Sequence, residues 1–114
     1  MQAGKRCLKG SALKIGMKAV LFHPEAEEEM IASAVFYETR SKGLGHKFLN
    51  EIARSLDLIS SSPKTWPVFS DDIRRFLLQR FPFGLLYEIH DDYIYIIAVM
   101  HLHREPFYWK NRLK

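Results

Sequence analysis

The residues best equipped for chemistry lie near the end of the chain, in the stretch Ala98 to Lys110, AVMHLHREPFYWK. It contains His101, His103, Arg104 and Tyr108, with Trp109 directly after them. Histidine exchanges protons near neutral pH, arginine holds phosphate through paired N–H donors, a tyrosine hydroxyl can protonate a leaving oxygen, and an indole can stack on a base. Cleavage of RNA through its ribose 2′-hydroxyl needs such a set: a base for the hydroxyl, cations for the phosphorane and an acid for the leaving oxygen. Each candidate also has a structural alternative. A histidine pair at a strand end can be a hydrogen-bonded feature of the fold, and Phe107 and Trp109 can pin the C-terminal segment to a sheet.

Three upstream arginines, Arg74, Arg75 and Arg80 in IRRFLLQRF, could hold phosphate or contact a target. Adjacent residues of a regular strand point to opposite faces, so Arg74 and Arg75 cannot both line one site. Arg80, beside FPF, has the alternative of anchoring an acidic side chain or a loop carbonyl. By the same alternation, His101 and His103 are expected to share one strand face.

The elements that must position these residues follow from periodicity. KAVLF, residues 18 to 22, is a short apolar run bounded by His23 and Pro24 and suits an opening strand. Pro24 fits a first helical turn, and Glu25, Glu27, Glu28 and Glu29 favour the positive end of the helix dipole. Ala26, Met30, Ala34 and Tyr37, with Ile31 and Val35 beside them, recur at helical spacing as one expected buried stripe and carry this helix to about Ser41. SKGLG breaks it. Leu44, Phe48, Ile52, Leu56 and Ile59 then define a second helix ending in SSSP, and so short a connection makes the two antiparallel.

Beyond the loop from Pro63 to Pro67, where Trp66 is expected to cap the core, the pattern changes to β-rich runs: Ile73 to Phe81, Phe83 to His90 and Tyr93 to Leu102. Asp91 and Asp92 make a two-residue hairpin turn. The near-continuous IYIIAVM predicts a central strand buried on both faces. The expected architecture is α+β, a small and mostly antiparallel sheet with an N-terminal helical hairpin on one face. Its order is β-α-α-β-β-β plus a short C-terminal helix.

At 114 residues with 47% hydrophobic content, the chain has the size and composition of one globular domain. No run approaches the roughly 18 apolar residues of a membrane span, and the opening segment lacks the apolar centre of a secretory signal, so a cytoplasmic protein is expected. Of the 17 Lys and Arg residues, Lys5, Arg6, Lys9 and Lys14 lie before Met17, which leaves the rest balanced against 13 acids. Residues 1–16 therefore read as a flexible basic leader that need not be native, and 17–114 as the domain. The basic pI is then weak evidence for nucleic-acid binding. Within the body, four bases face one acid from Tyr93 to Lys114, a polarity that steers an anionic partner to the end of the sheet. The lone Cys7 cannot form an intramolecular disulfide, and no cysteine cluster is present to bind metal.

Residues 17–114 resemble the RelE/ParE superfamily of type II toxin–antitoxin toxins, the plasmid-stabilisation proteins. The resemblance rests on element order and on FHPEAEEEM, LISSSPKTWP, IRRFLLQRFPFGLLYEI and IIAVMHLHREPFYWKNRL, the last two being the specific ones. It implies a growth inhibitor neutralised by a cognate antitoxin encoded beside it, in a hetero-oligomeric complex. It implies no cofactor, metal or membrane. ParE-like members block DNA gyrase by binding, whereas RelE-like members enter the ribosome and cut mRNA with a lysine, arginine and tyrosine set. Arg75 matches the strand arginine of the family, Arg104 the basic residue past the last strand, and Tyr108 a C-terminal aromatic position. The chain departs from the RelE-like set because no lysine occurs between Thr65 and Trp109, so His101 or His103 would have to act as base. The long hairpin and the missing lysine favour the ParE side. The ribosome-dependent nuclease is the alternative, and a degenerate toxin that only binds its antitoxin is a third. The expected functional surface is His101, His103, Arg104 and Tyr108 for any catalysis, with Arg75, Arg80, Arg104 and Trp109 for target contact.

Overall fold

A computed structural model describes residues 18–105 and 107–113; the leader expected over residues 1–16 lies outside the described residues. Strand β1 (Ala19–Phe22) leads into helix α1 (Pro24–Arg40), followed by helix α2 (Leu44–Ser61). Strands β2 (Val68–Ser70), β3 (Ile73–Leu77), β4 (Phe83–Ile89) and β5 (Tyr93–His101) complete the sheet, and a single 3-10 turn spans Lys110–Arg112. No helix among the described residues is long and apolar enough to cross a membrane.

The start of α1 is set by local chemistry. His23 is the N-cap, its Nδ1 accepting from the Glu25 N–H at 3.1 Å, and Pro24 occupies the first turn where no N–H is required. The hairpin closes at Gly43, whose φ of 87° is left-handed and favours glycine. Glu38 accepts from the N–H groups of Gly43 at 2.9 Å and Gly45 at 3.0 Å, supplying α2 with the cap that its own N-cap residue lacks. A side chain at Gly45 would stand 2.5 Å from the Ala34 carbonyl oxygen, so only glycine lets the two helices approach this closely.

The sheet order is β1-β5-β4-β3-β2, with β1 parallel to β5 and every other pairing antiparallel. The helices cover one face through Phe48, Ile52, Leu56 and Ile59 against Phe76, Leu85, Tyr87, Ile94 and Ile96. Two expected boundaries shift. β3 ends at Leu77 rather than Phe81, because the backbone N–H groups of Gln79 and Arg80 turn away to the Glu51 carboxylate of α2, at 2.6 and 3.1 Å. An additional edge strand, β2, precedes it between the expected loop and β3, since Val68 and Ser70 pair across the Asp71–Asp72 turn.

The strand β5 is buried on both faces, as its apolar run predicts. Its alternation is broken once. Leu86 pairs with Ala98 but Tyr87 pairs with Ile96, so Ile97 is the extra residue of a bulge, and Ile97 and Ala98 both lie on the face away from the helices. The bulge returns Val99 to the helix-facing core. The second face carries its own core of Ile73, Leu86, Ile97, Ala98, Met100 and Trp109.

Candidate functional site

The sheet is asymmetric at its β1 edge, where four residues of β1 run beside nine of β5. Past Ile96, whose carbonyl accepts from the His23 N–H, the edge of β5 has no ladder partner among the described residues. Unpaired buried backbone groups are costly, and side chains here take them over. Glu29 of α1 accepts from the Val99 N–H through Oε1 at 3.0 Å, and Arg112 Nη1 donates to the Ile97 carbonyl at 3.0 Å.

The same two residues join each other. Arg112 Nη2 donates to Glu29 Oε2 at 2.7 Å and Nη1 to Oε1 at 3.1 Å, a two-point contact, and Nε lies 3.3 Å from Glu25 Oε1. The Tyr108 hydroxyl donates to Glu29 Oε2 at 2.8 Å. Burial, with the Glu29 carboxylate hydrogen-bonded beside it, pushes this phenol well above the ordinary tyrosine range. Two guanidinium groups lie over the Tyr108 ring, Arg104 at 3.8 Å and Arg112 at 5.1 Å from its centroid. Glu29 thus ties residues 108–112 to α1 and to the bulge of β5.

Alongside this clasp is a groove of about 310 Å3 between α1 and the end of β5, lined by Phe36, Tyr37, Phe83, Val99, His101 and Arg104 among others. The bulge places His101 here, on the helix side, with its ring edge-on to Phe83 at 5.1 Å. His101 Nδ1 accepts from the His103 N–H at 3.1 Å, which leaves Nε2 as the proton-bearing nitrogen of the neutral ring. His103 does not extend the strand face: β5 ends at His101, and His103 sits exposed in the following turn, with the two rings 5.3 Å apart. Arg104 is exposed and has no ion pair among the described residues.

The structure gathers His101, His103, Arg104 and Tyr108 around one end of the sheet and leaves the other expected residues elsewhere. Arg75 points to the opposite face, its guanidinium 4.5 Å over the Phe69 ring. Arg74, on the helix-facing side, holds the preceding loop by donating to the Trp66 carbonyl at 2.6 Å. Arg80 lies in the β3–β4 loop near α2, its side chain 71% exposed and Nε 3.9 Å from Glu51 Oε1. Trp109 is not a surface residue: it is fully buried under the second face, where Ile73, Leu86, Ile97 and Met100 enclose it. The expected C-terminal helix is the 3-10 turn that follows.

Sequence reasoning assigned Glu29 to the helix dipole and gave Arg112 no role. Their signal is the mismatch between a short first strand and a long last one, which leaves a bare edge to be satisfied. As chemistry, the Tyr108 hydroxyl is spent on a carboxylate and His101 Nδ1 on a backbone N–H, while His103 and Arg104 stand exposed at the end of β5, Arg104 on the lining of the groove. Among the described residues no three His, Cys, Asp or Glu side chains converge to hold a metal ion.

Comparison with protein-family models and with curated proteins found no match. Among solved structures, a chain of "Chromosomal ParDE TA system from P. aeruginosa" superposes with a TM-score of 0.65 at 16% identity, covering 77% of this chain and 99% of that one. The chain therefore shares the two-helix, five-strand α+β fold of a chain in that ParDE structure, the architecture that the sequence led one to expect.

Proposed function

We propose that the chain is the toxin of a type II toxin–antitoxin pair, acting in the cytoplasm, and that it arrests growth by binding a target of the DNA gyrase kind. The fold shared with nearly all of a chain from a ParDE structure supports the toxin reading. The observation that carries binding over RNA cleavage is the Glu29 clasp. It holds the half-buried Tyr108 hydroxyl in a carboxylate hydrogen bond; burial first, and that bond after it, raise its pKa, and an acid of this kind gives up its proton poorly at neutral pH. Arg75 on the far face and the lysine-free strand region support the same reading.

On this reading His103 and Arg104 contact the target, while Ile31 and Val35 of α1, expected beside the buried stripe but exposed because they turn away from the sheet, join exposed Phe36 to give the antitoxin an apolar surface. The test is induction of the full chain without its antitoxin, with plasmid topology and message 5′ ends followed in the same cultures. Growth arrest with relaxed plasmid and intact messages is expected. New 5′ ends at codon spacing within minutes of induction, with unchanged topology, would replace this reading with a ribosome-dependent endonuclease. Absence of arrest combined with tight binding to the antitoxin would leave a degenerate, binding-only protein.

A further inference from the structure

On the sheet face away from the helices, at the β4–β5 hairpin, is a second hollow of about 450 Å3 that shares no lining residue with the groove. Leu21 and Ile97 contribute apolar lining, and Tyr93, Tyr95, His90 and Glu88 the rest that matters here. His90 and Tyr93 stack with centroids 4.5 Å apart and planes 8° from parallel. The Tyr95 ring stands across both, at 85° to His90 and 88° to Tyr93, with centroids 6.4 and 6.3 Å away. Glu88 supplies a carboxylate whose Oε1 lies 3.0 Å from His90 Nε2 and which stays 29% exposed.

Rings set at right angles beside a carboxylate favour a cation, because ring faces carry negative potential and the carboxylate adds a full charge. The one positive side chain on the lining, Arg112, is already matched by Glu29 and Glu25. Asp91 and Asp92 stand exposed at the hairpin turn, and the Asp91 carbonyl already accepts from the Lys18 ammonium at 2.6 Å. Burial, and after it the nearby Tyr93 and Glu88, raise the Tyr95 phenol above its ordinary value, in keeping with an electronegative hollow.

We propose that this hollow is a receptor for one cationic side-chain head group, an ammonium or a guanidinium. The proposal is independent of the toxin reading. Two sources offer that chemistry. One is this chain's own residues 1–17, which carry Lys5, Arg6, Lys9 and Lys14 and no acid. They join the described structure at Lys18, which with His90 and Asp91 lines an adjoining depression, and the four residues of chain from Lys14 to Lys18 can reach at most about 13 Å. The other source is a basic residue of a partner protein.

The test titrates the full chain with butylammonium chloride and with ethylguanidinium chloride, against sodium chloride at matched ionic strength, following the ring 1H–13C resonances of Tyr93 and Tyr95. Saturable ring shifts caused by the organic cations alone are expected, with affinity about fivefold lower or worse in Glu88→Gln and in Tyr95→Leu. Glu88→Gln keeps the side-chain size, so its result stands even if Tyr95→Leu loosens the fold. A response in the native chain assigns the hollow to a partner's cation. A silent native chain with a responding Lys5/Arg6/Lys9/Lys14→Ser variant assigns it to the chain's own N-terminal residues. Silence in both, or unchanged affinity in Glu88→Gln, overturns the proposal.

Discussion

The helix-facing side of the sheet is covered by two helices of 17 and 18 residues, the other side by Trp109, Phe69 and the C-terminal turn. The first cover interlocks over a wide area: Phe48 alone meets Tyr37, Phe81 and Phe83 at ring distances of 5.4, 5.2 and 5.1 Å. The second hangs on one indole and on Glu29, which grips Tyr108 and Arg112 from the opposite side of the β5 edge. Loss of a helix-side contact should therefore be felt by the whole fold. Loss of a contact in this C-terminal strap, residues 107–113, should be felt first by the strap itself and by the exposed His103 and Arg104 just before it.

The sharpest test sets Phe48→Ala against Trp109→Ala. Each removes a fully buried ring and should cost about 3–5 kcal/mol in denaturant unfolding. They should part in native-state hydrogen exchange. Phe48→Ala should speed exchange throughout α2 and the sheet, whereas Trp109→Ala should add a low-energy opening confined to residues 107–113 and the second face. Identical exchange patterns would show that the two faces form one cooperative unit and would break the comparison.

Glu29→Gln comes next. It leaves the Arg112 side chain, 6% exposed, with only the more exposed Glu25 as ion partner, and removing one member of a buried pair costs on the order of 3 kcal/mol. In a Trp66→Phe background, Trp109 emission should shift to the red at denaturant concentrations where far-UV circular dichroism is still native. Coincident transitions by the two probes would mean that the clasp stabilises the fold as a whole rather than the strap.

How far these features can be read from the sequence follows the same division. Helix-side elements announce themselves through period: Phe48, Ile52, Leu56 and Ile59 mark the buried face of α2 and are buried. Gly43 marks the break between the helices. The strap side depends on one extra residue. The bulge at Ile97 moves His101 to the helix side without altering the apolar run that predicts β5, since Ile, Ala and Val read alike on either face. Trp109 has the composition of a stacking surface residue, and what buries it is the shape of a cavity assembled from β3, β4 and β5, which no local pattern encodes. Glu29 sits among four nearby acids whose shared dipole argument hides the one that reaches across to Arg112.

A smaller change isolates one bond of the clasp. Tyr108→Phe keeps the ring against Arg104 and Arg112 and deletes the hydroxyl that donates to Glu29, which retains Arg112 and the Val99 N–H. A loss of about 1 kcal/mol is expected, since one hydrogen bond disappears and the carboxylate is still satisfied. If Tyr108 instead acts chemically on a target, growth arrest should vanish in this variant at full stability; under the binding reading arrest persists. Comparing arrest with the unfolding midpoint of the same variant separates the two.

The smallest effect tests the helix side at its surface. Glu38 accepts hydrogen bonds from the Gly43 and then the Gly45 N–H groups, and these hold its carboxyl below the usual glutamate range. A carboxyl whose folded pKa is depressed contributes stability above its unfolded pKa and loses it as pH falls through the folded value. The contribution should thus be intact at neutral pH and fade from about pH 5 downward, as protonation leaves fewer lone pairs to cap the first turn of α2. Glu38→Gln cannot titrate, so its stability deficit relative to the native chain should be largest near neutrality and shrink toward about pH 3. A deficit constant across that range would mean that side-chain packing at the hairpin, and not the charge of the cap, is what Glu38 supplies. Since the strap carries no comparable exposed cap, the acid slope of its opening, read by exchange at residues 107–113, should be the same in both proteins.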